Sequence, residues 1–140
     1  MAAQYAVRSL SVGTFEEPGY SVFWQRNSPE WVSLKLQLIL IEGNGIRALV
    51  NTALPDDLSS LQAEYPTALM WRTGGGNGPI VRTPEELQVP ALAAAGVTPE
   101  DITHVILTPI ARYTTDTLDQ FPKAKICMLN ACGVHFQTMQ

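Results

Sequence analysis

The segment from Leu34 to Val50 constrains this chain more than any other. Leu34 to Glu42 alternates and then turns solidly apolar through Leu38-Ile39-Leu40-Ile41. Gly43-Asn44-Gly45 follows, and glycine and asparagine tolerate the positive φ that a tight hairpin requires. Ile46 to Val50 then returns as a second apolar strand. Runs this apolar suit strands buried on both faces, so a layered core must form around the hairpin. With 140 residues, 46% of them hydrophobic, the chain is long enough to do this as one domain.

The other elements are read from turn and cap chemistry. Tyr5 to Phe15 reads as a strand that Gly13 ends, Glu16-Glu17-Pro18-Gly19 as a turn, Tyr20 to Gln25 as a short aromatic strand and Asn27-Ser28-Pro29-Glu30 as another turn. Pro55-Asp56-Asp57 opens a helix to about Tyr65, its early acids matching the positive end of the helix dipole. Gly74-Gly75-Gly76-Asn77-Gly78-Pro79 sits in a flexible loop at about 73–79. Thr83-Pro84-Glu85-Glu86 is a capping box with proline at the first helical position, and Gly96 stops that helix. Thr98-Pro99-Glu100-Asp101 is a second helix start, or a single turn leading into the strand His104 to Leu107. Thr115 to Phe121 reads as a short helix, Lys125 to Leu129 as a strand and Ala131 to Met139 as a helix. Strands first, then alternating helix and strand, give an α/β (α+β) mixed sheet with helices on one face.

Charge narrows the function classes. The formal net charge is −4, with nine scattered Lys and Arg, which gives no footprint for nucleic acid. No apolar run approaches a membrane span, and the N-terminus lacks a basic start followed by an apolar stretch. The expected compartment is the cytoplasm, with Cys127 and Cys132 as free thiols. Charged residues make up only 16% of the chain, against roughly 25% in typical soluble domains, as expected of a surface partly covered by a partner.

The order of phrases resembles the metallo-β-lactamase-fold hydrolases, in particular their lactonase and glyoxalase-like branches. Ala48-Leu49-Val50-Asn51-Thr52-Ala53 stands where that family carries an Asp-Thr-Gly turn after an apolar strand. Ala95 to Thr108 resembles the approach to the family's metal loop, and Asp119 to Ile126 resembles the stretch just after that loop. The likeness covers roughly residues 5 to 130. It implies the N-terminal half of an αββα sandwich, a single half domain over 1–140.

The metal loop itself departs from the family. The resemblance implies Thr-His-x-His-x-Asp-His, whose side chains hold the metal that activates water. Here the sequence is Thr108-Pro109-Ile110-Ala111-Arg112-Tyr113-Thr114. Thr108 survives, while Pro109, Ala111, Tyr113 and Thr114 stand at the ligand positions. Proline and alanine have no donor atom, and threonine and neutral tyrosine are poor zinc ligands beside imidazole and carboxylate. Asn51 replaces the acid of the Asp-Thr-Gly turn. The remaining ligands of the family lie downstream on the second half, beyond the equivalent of Gln140.

Other residues invite chemistry. Cys127, Cys132 and His135 offer two sulfurs and an imidazole to zinc but lack a fourth ligand. His104 reads as a strand-edge histidine bonded to a neighbour. The glycine loop is followed by Pro79-Ile80-Val81, not by the Lys and Ser or Thr of a phosphate loop. Arg112 and Tyr113 are candidates to line a pocket, although packing together or facing water is the plainer reading. Asp116 and Asp119 read as helix-surface acids. Tyr20, Phe23, Trp24 and Trp31 fit either core or an interface. The sequence thus leads to a non-catalytic chain with no cofactor, acting by self-association as a homodimer or as a partner subunit. The alternatives are a metal-dependent hydrolase whose ligands a partner completes, and a small-molecule binding module.

Overall fold

The computed structural model describes residues 4–23, 30–59, 80–108, 112–129 and 136–139. They form β1 (Ala6–Pro18), α1 (Gly19–Val22), β2 (Trp31–Gly43), β3 (Ile46–Val50), α2 (Gln88–Ala94), β4 (His104–Leu107), α3 (Arg112–Thr115), β5 (Lys125–Leu129) and β6 (Phe136–Met139). One six-stranded sheet runs in sequence order from β1 to β6. β1, β2 and β3 are antiparallel, β3, β4 and β5 are parallel, and β6 returns antiparallel on β5. The sheet is mixed, as the element order predicts.

The central hairpin forms as its sequence requires. Asn44 and Gly45 take φ values of 50° and 76°, the pair of positive angles of a type I′ turn. Pairing then places Leu40 beside Leu49, Leu49 beside Val105 and Val105 beside Ile126. Leu40, Leu49 and Val105 are fully buried. They pack with Ala91 and Leu92 of α2, and with Ile102 and Phe121, in one core cluster. Because side chains alternate along a strand, the register that buries this row sends Ile39, Ile41, Val50 and Ile106 to the opposite face.

Both proline-led starts become single 3₁₀ turns, Pro84–Glu86 and Pro99–Asp101. Glu86 accepts from the Thr83 N–H at 3.0 Å and Asp101 from the Thr98 N–H at 2.9 Å. α2 begins separately at Gln88 and stops as predicted at Gly96, with φ of 79°. The Gly96 N–H reaches the Ala93 carbonyl and the Val97 N–H the Leu92 carbonyl, a complete Schellman motif that turns Val97 into the core.

Several expectations are corrected. Gly13 does not end β1. It is the bulge at which the β1–β2 register shifts, so Glu16 to Pro18 stay paired with Ser33 to Trp31 rather than turning. Tyr20 to Val22 belong to α1, not to a strand. Tyr20, Phe23 and Trp31 are exposed, not core, and Trp24 and Asn27 to Pro29 lie outside the described residues. Pro55 to Leu58 are not helical, and the rest of the helix expected to Tyr65, with the glycine loop at 73–79, falls outside the described residues. Thr115 to Phe121 splits between the end of α3 and a 3₁₀ turn at Leu118–Gln120. Phe136–Met139 is a strand, because β5 offers it a free edge to pair with.

Gly13 also shows why its side chain is missing. It has φ of 133°, and a Cβ there would lie 2.7 Å from Arg82 Cγ and 3.2 Å from the Val81 carbonyl oxygen. The Arg82 guanidinium reaches on to the carbonyls of Leu54, Pro55 and Asp56, so the arginine cannot retreat without losing them. Gly13→Ala is expected to lower stability by about 1–3 kcal/mol, read as a fall in the thermal midpoint. An unchanged midpoint would contradict the bulge geometry.

The two carboxylates of the caps set an acid limit. Bonds from Thr83 and Ser11 hold Glu86 below its ordinary pKa, and bonds from Thr98, aided by Arg47, hold Asp101 below 3.8. Depressed folded values mean that the stabilisation is present above the ordinary carboxylate range and is lost as pH falls through the folded values. The difference in midpoint between the native chain and Asp101→Asn is therefore expected to hold from neutral pH to about 5 and to shrink below about 4. A difference that does not vary with pH would remove the capping role.

Candidate functional site at the ends of β3 and β4

Ligand sites in open sheets with parallel strands gather beyond the carboxyl ends of those strands. In this chain that place is built by Asn51 to Leu54 after β3, by Thr108 after β4, and by α3 with the turn after it. Asn51 has φ of 64°, which asparagine tolerates better than most residues. This turn lets its side chain face the next strand end. Asn51 Oδ1 accepts from the Thr108 N–H at 2.8 Å, and Asn51 Nδ2 donates to the Thr108 carbonyl at 3.3 Å. The Asn51 N–H donates to the Ile106 carbonyl at 2.8 Å. The two strand ends are tied to each other through neutral groups.

A second, deeper network holds the segments behind them. Gln88 on α2 is fully buried. Its Oε1 accepts from the Ala53 N–H at 2.7 Å and from the Thr117 hydroxyl at 2.9 Å, and its Nε2 donates to Gln120 Oε1 at 2.7 Å. The Thr52 N–H donates to the Thr114 carbonyl at 3.3 Å. Thr52 and Thr114 are both buried, and Thr52 Oγ1 has no partner among the described residues. A cavity of about 110 Å³ lies beside them, lined by Asn51, Thr52, Thr114, Lys35, Gln37 and Leu54 among others.

The structure brings Asn51, Thr108 and Thr114 to one end of the sheet. Pro109 and Ala111 lie outside the described residues. Arg112 and Tyr113 form the first turn of α3, and the expectation that they line a pocket concerns side chains outside the described residues. Cys132 and His135 are also outside them. Cys127 is half-buried on β5 and is a free thiol. His104 opens β4 with Nδ1 2.8 Å from Thr103 Oγ1, bonded to a neighbour as the sequence suggests. Asp116 is half-buried in the turn after α3 rather than a surface acid, and Asp119 is exposed. Sequence reasoning missed Gln88. Its signal was position, since Gln88, Ala91 and Leu92 share one face of α2 and all three are buried.

The fold is that of half a metallo-β-lactamase-type hydrolase. A solved N-acyl homoserine lactone hydrolase, with N-hexanoyl-L-homoserine at its catalytic metal centre, is similar over 90% of this chain and 48% of its own, at 17% identity and a TM-score of 0.69. A probable metal-dependent hydrolase from Staphylococcus aureus matches over 90% of this chain and 47% of its own, at 14% identity and a TM-score of 0.61. A hydrolase of the β-lactamase superfamily matches over 93% and 43%, at 15% identity and a TM-score of 0.56. The chain thus spans about half the length of the structures it matches. No family model matches the sequence, and no curated protein matches it.

Such neighbours imply a metal, and the donors among the described residues do not fit one. The side chains described at the strand ends are an amide and hydroxyls, and the amide is committed to Thr108. Among the described residues no three His, Cys, Asp or Glu come together, and no helix is long and apolar enough to cross a membrane.

Gln88 gives this region a measurable weight. Gln88→Ala strips the acceptor from the buried Ala53 N–H, which costs about 1–3 kcal/mol when left unmet, while the Thr117 hydroxyl keeps the Ala53 carbonyl at 2.9 Å as its acceptor. A loss of roughly 1–3 kcal/mol in denaturant unfolding is expected. A loss within the range of surface substitutions would show that the network does not hold the two segments.

Proposed function

We propose that this chain is a non-catalytic relative of the metallo-β-lactamase-fold hydrolases and works by association, with a second copy or as a subunit of a larger assembly. The observation that carries this reading is the Asn51–Thr108 pair. Where the resemblance implies an acid and a metal loop, a neutral amide and a strand-end backbone satisfy each other. The loop sequence Thr108-Pro109-Ile110-Ala111-Arg112-Tyr113-Thr114 supports it, since none of its side chains competes with imidazole or carboxylate for zinc. Among the described residues at the strand ends, an amide and hydroxyls offer nothing that would activate water as a bound metal does.

A second reading, a small-molecule binding module, draws on the cavity of about 110 Å³ beside Thr52. Its size admits a few waters or a very small polar molecule.

The test is metal analysis of the purified chain alongside assays with lactones, thioesters and β-lactams. The expected outcome is no stoichiometric zinc, iron or manganese and no turnover above background. Metal-dependent turnover abolished by a chelator, with contaminating hydrolases excluded, would overturn the proposal in favour of a hydrolase. Metal bound through Cys127, Cys132 and His135, without turnover, would add a structural site and leave the non-catalytic reading standing.

A further inference from the structure

Two asparagines at strand ends take left-handed backbone angles, and the fold treats them in opposite ways. Asn51, at φ of 64°, is tied at both groups that a cyclisation would need. Its side-chain amide is bonded to Thr108, and the next backbone N–H, that of Thr52, donates to the Thr114 carbonyl at 3.3 Å. Asn44, at φ of 50°, is tied at neither. It is exposed, and its side-chain amide makes no hydrogen bond among the described residues. Gly45, the next residue, is exposed as well, and its backbone N–H is unpaired among the described residues. The space where a side chain on Gly45 would stand is empty within 4 Å.

We propose that Asn44 and Gly45 form a site of spontaneous covalent modification that rewrites the central hairpin. The Gly45 nitrogen forms a bond to Asn44 Cγ. The Cγ–Nδ2 bond breaks, and Nδ2 leaves as ammonia with the proton of the Gly45 amide. The product is a five-membered succinimide ring that joins the two residues. Water then opens the ring at one of two bonds. Attack at Cγ breaks its bond to the Gly45 nitrogen and gives an aspartyl residue. Attack at the Asn44 backbone carbonyl carbon breaks the other bond to that nitrogen and gives an isoaspartyl residue, whose main chain runs through Cβ and Cγ. Nothing is oxidised or reduced, and either product adds one negative charge to a chain of formal net charge −4.

The two products differ in what they do to the fold. Gly43 pairs with Ile46 and Glu42 with Arg47, so the turn holds only Asn44 and Gly45, both at positive φ. Asp-Gly suits such a turn as Asn-Gly does, and the aspartyl product keeps it. The isoaspartyl product puts one more main-chain carbon between β2 and β3. The base of the turn has no slack to take it up, because Gly43 lies so close to the Gln4 carbonyl and Tyr5 that a Cβ there would collide with both. The pairing of Leu40 with Leu49 then loses the turn that fixes it, and register is what keeps these leucines on the buried face. The inference stands apart from whether the chain acts by association or by catalysis.

Peptide mapping of the folded chain after ageing at mildly alkaline pH tests the inference. Cleavage after Lys35 and Arg47 releases a peptide whose one asparagine is Asn44. Asn51 falls in the next peptide, and the second Asn-Gly pair, Asn77-Gly78, in a third that lies outside the described residues. The expected result is the mass gain of an amide-to-acid exchange at Asn44, with aspartyl and isoaspartyl forms separated by chromatography, and no gain at Asn51. The isoaspartyl fraction should melt several degrees below the native chain, while Asn44→Asp melts with it. Asn44→Gly keeps residues suited to the turn and lacks the amide, so after the same ageing its midpoint should not move. That variant separates loss at this turn from damage elsewhere. An Asn44 peptide that gains no mass would overturn the site, as would an equal gain at Asn51. An isoaspartyl fraction that melts like the native chain would overturn the effect on register.

Discussion

The register of the sheet is the constraint on which everything else rests. Leu40, Leu49, Val105 and Ile126 stand side by side, and three of them are completely buried. A slip of one residue in any strand would exchange its buried and open faces, at roughly 1.5–3 kcal/mol for each large side chain moved into water. The hairpin turn at Asn44 and Gly45 fixes the first pair, and the Schellman stop at Gly96 brings Val97 and then Ile102 under the same row. Once the inner row is set, the outer rows have no freedom. Ile39, Ile41 and Ile106 are on the opposite face because Leu38, Leu40 and Val105 are on the one under α2.

The same register positions the strand ends. β4 runs one residue past β3, with Val50 beside Ile106, and Asn51 and Thr108 leave the sheet as neighbours. In a metal centre, charged ligands crowd at such a place and the ion offsets their mutual repulsion. Here the crowding is relieved by neutral hydrogen bonds. Gln88 does similar work one layer down, holding Ala53 and Thr117 through a single oxygen. These bonds engage Asn51, Thr108 and Gln88 with one another's segments, while Thr52 Oγ1 stays without a partner among the described residues.

Much of the fold was legible because it rests on local chemistry. The hairpin, the two Thr-Pro capping boxes and the Gly96 stop each involve residues within a few positions of one another, so spacing alone identifies them. What failed was tertiary. Gly13 looks like a strand end until Arg82, far along the chain, is seen to need the space above it. Tyr20 and Val22 favour strands, yet the segment turns as a short helix that the Phe23 N–H closes on the Gly19 carbonyl. Phe136 to Met139 show an ambiguous pattern, and the free edge of β5 decides it. At the site, the residue types from Thr108 to Thr114 were legible position by position. The positive φ of Asn51 and the role of Gln88 were not, since each depends on a partner more than 30 residues away.

The distribution of charge separates the two ends of the sheet. The base of the sheet carries the ion pairs of Arg8, Glu42, Arg47 and Asp101, all partly exposed and each worth little alone in stability. The opposite end carries the neutral network of Asn51, Thr108, Gln88 and Thr117. Between them the helix-side face is closed by α2. Among the described residues, the polar groups of the two ends are met in different ways, by exposed ion pairs at one and by buried neutral hydrogen bonds at the other, while the apolar side chains between them gather under α2. Solvent screens the first kind and burial strengthens the second, so the end that carries Asn51 and Gln88 is the more firmly set of the two.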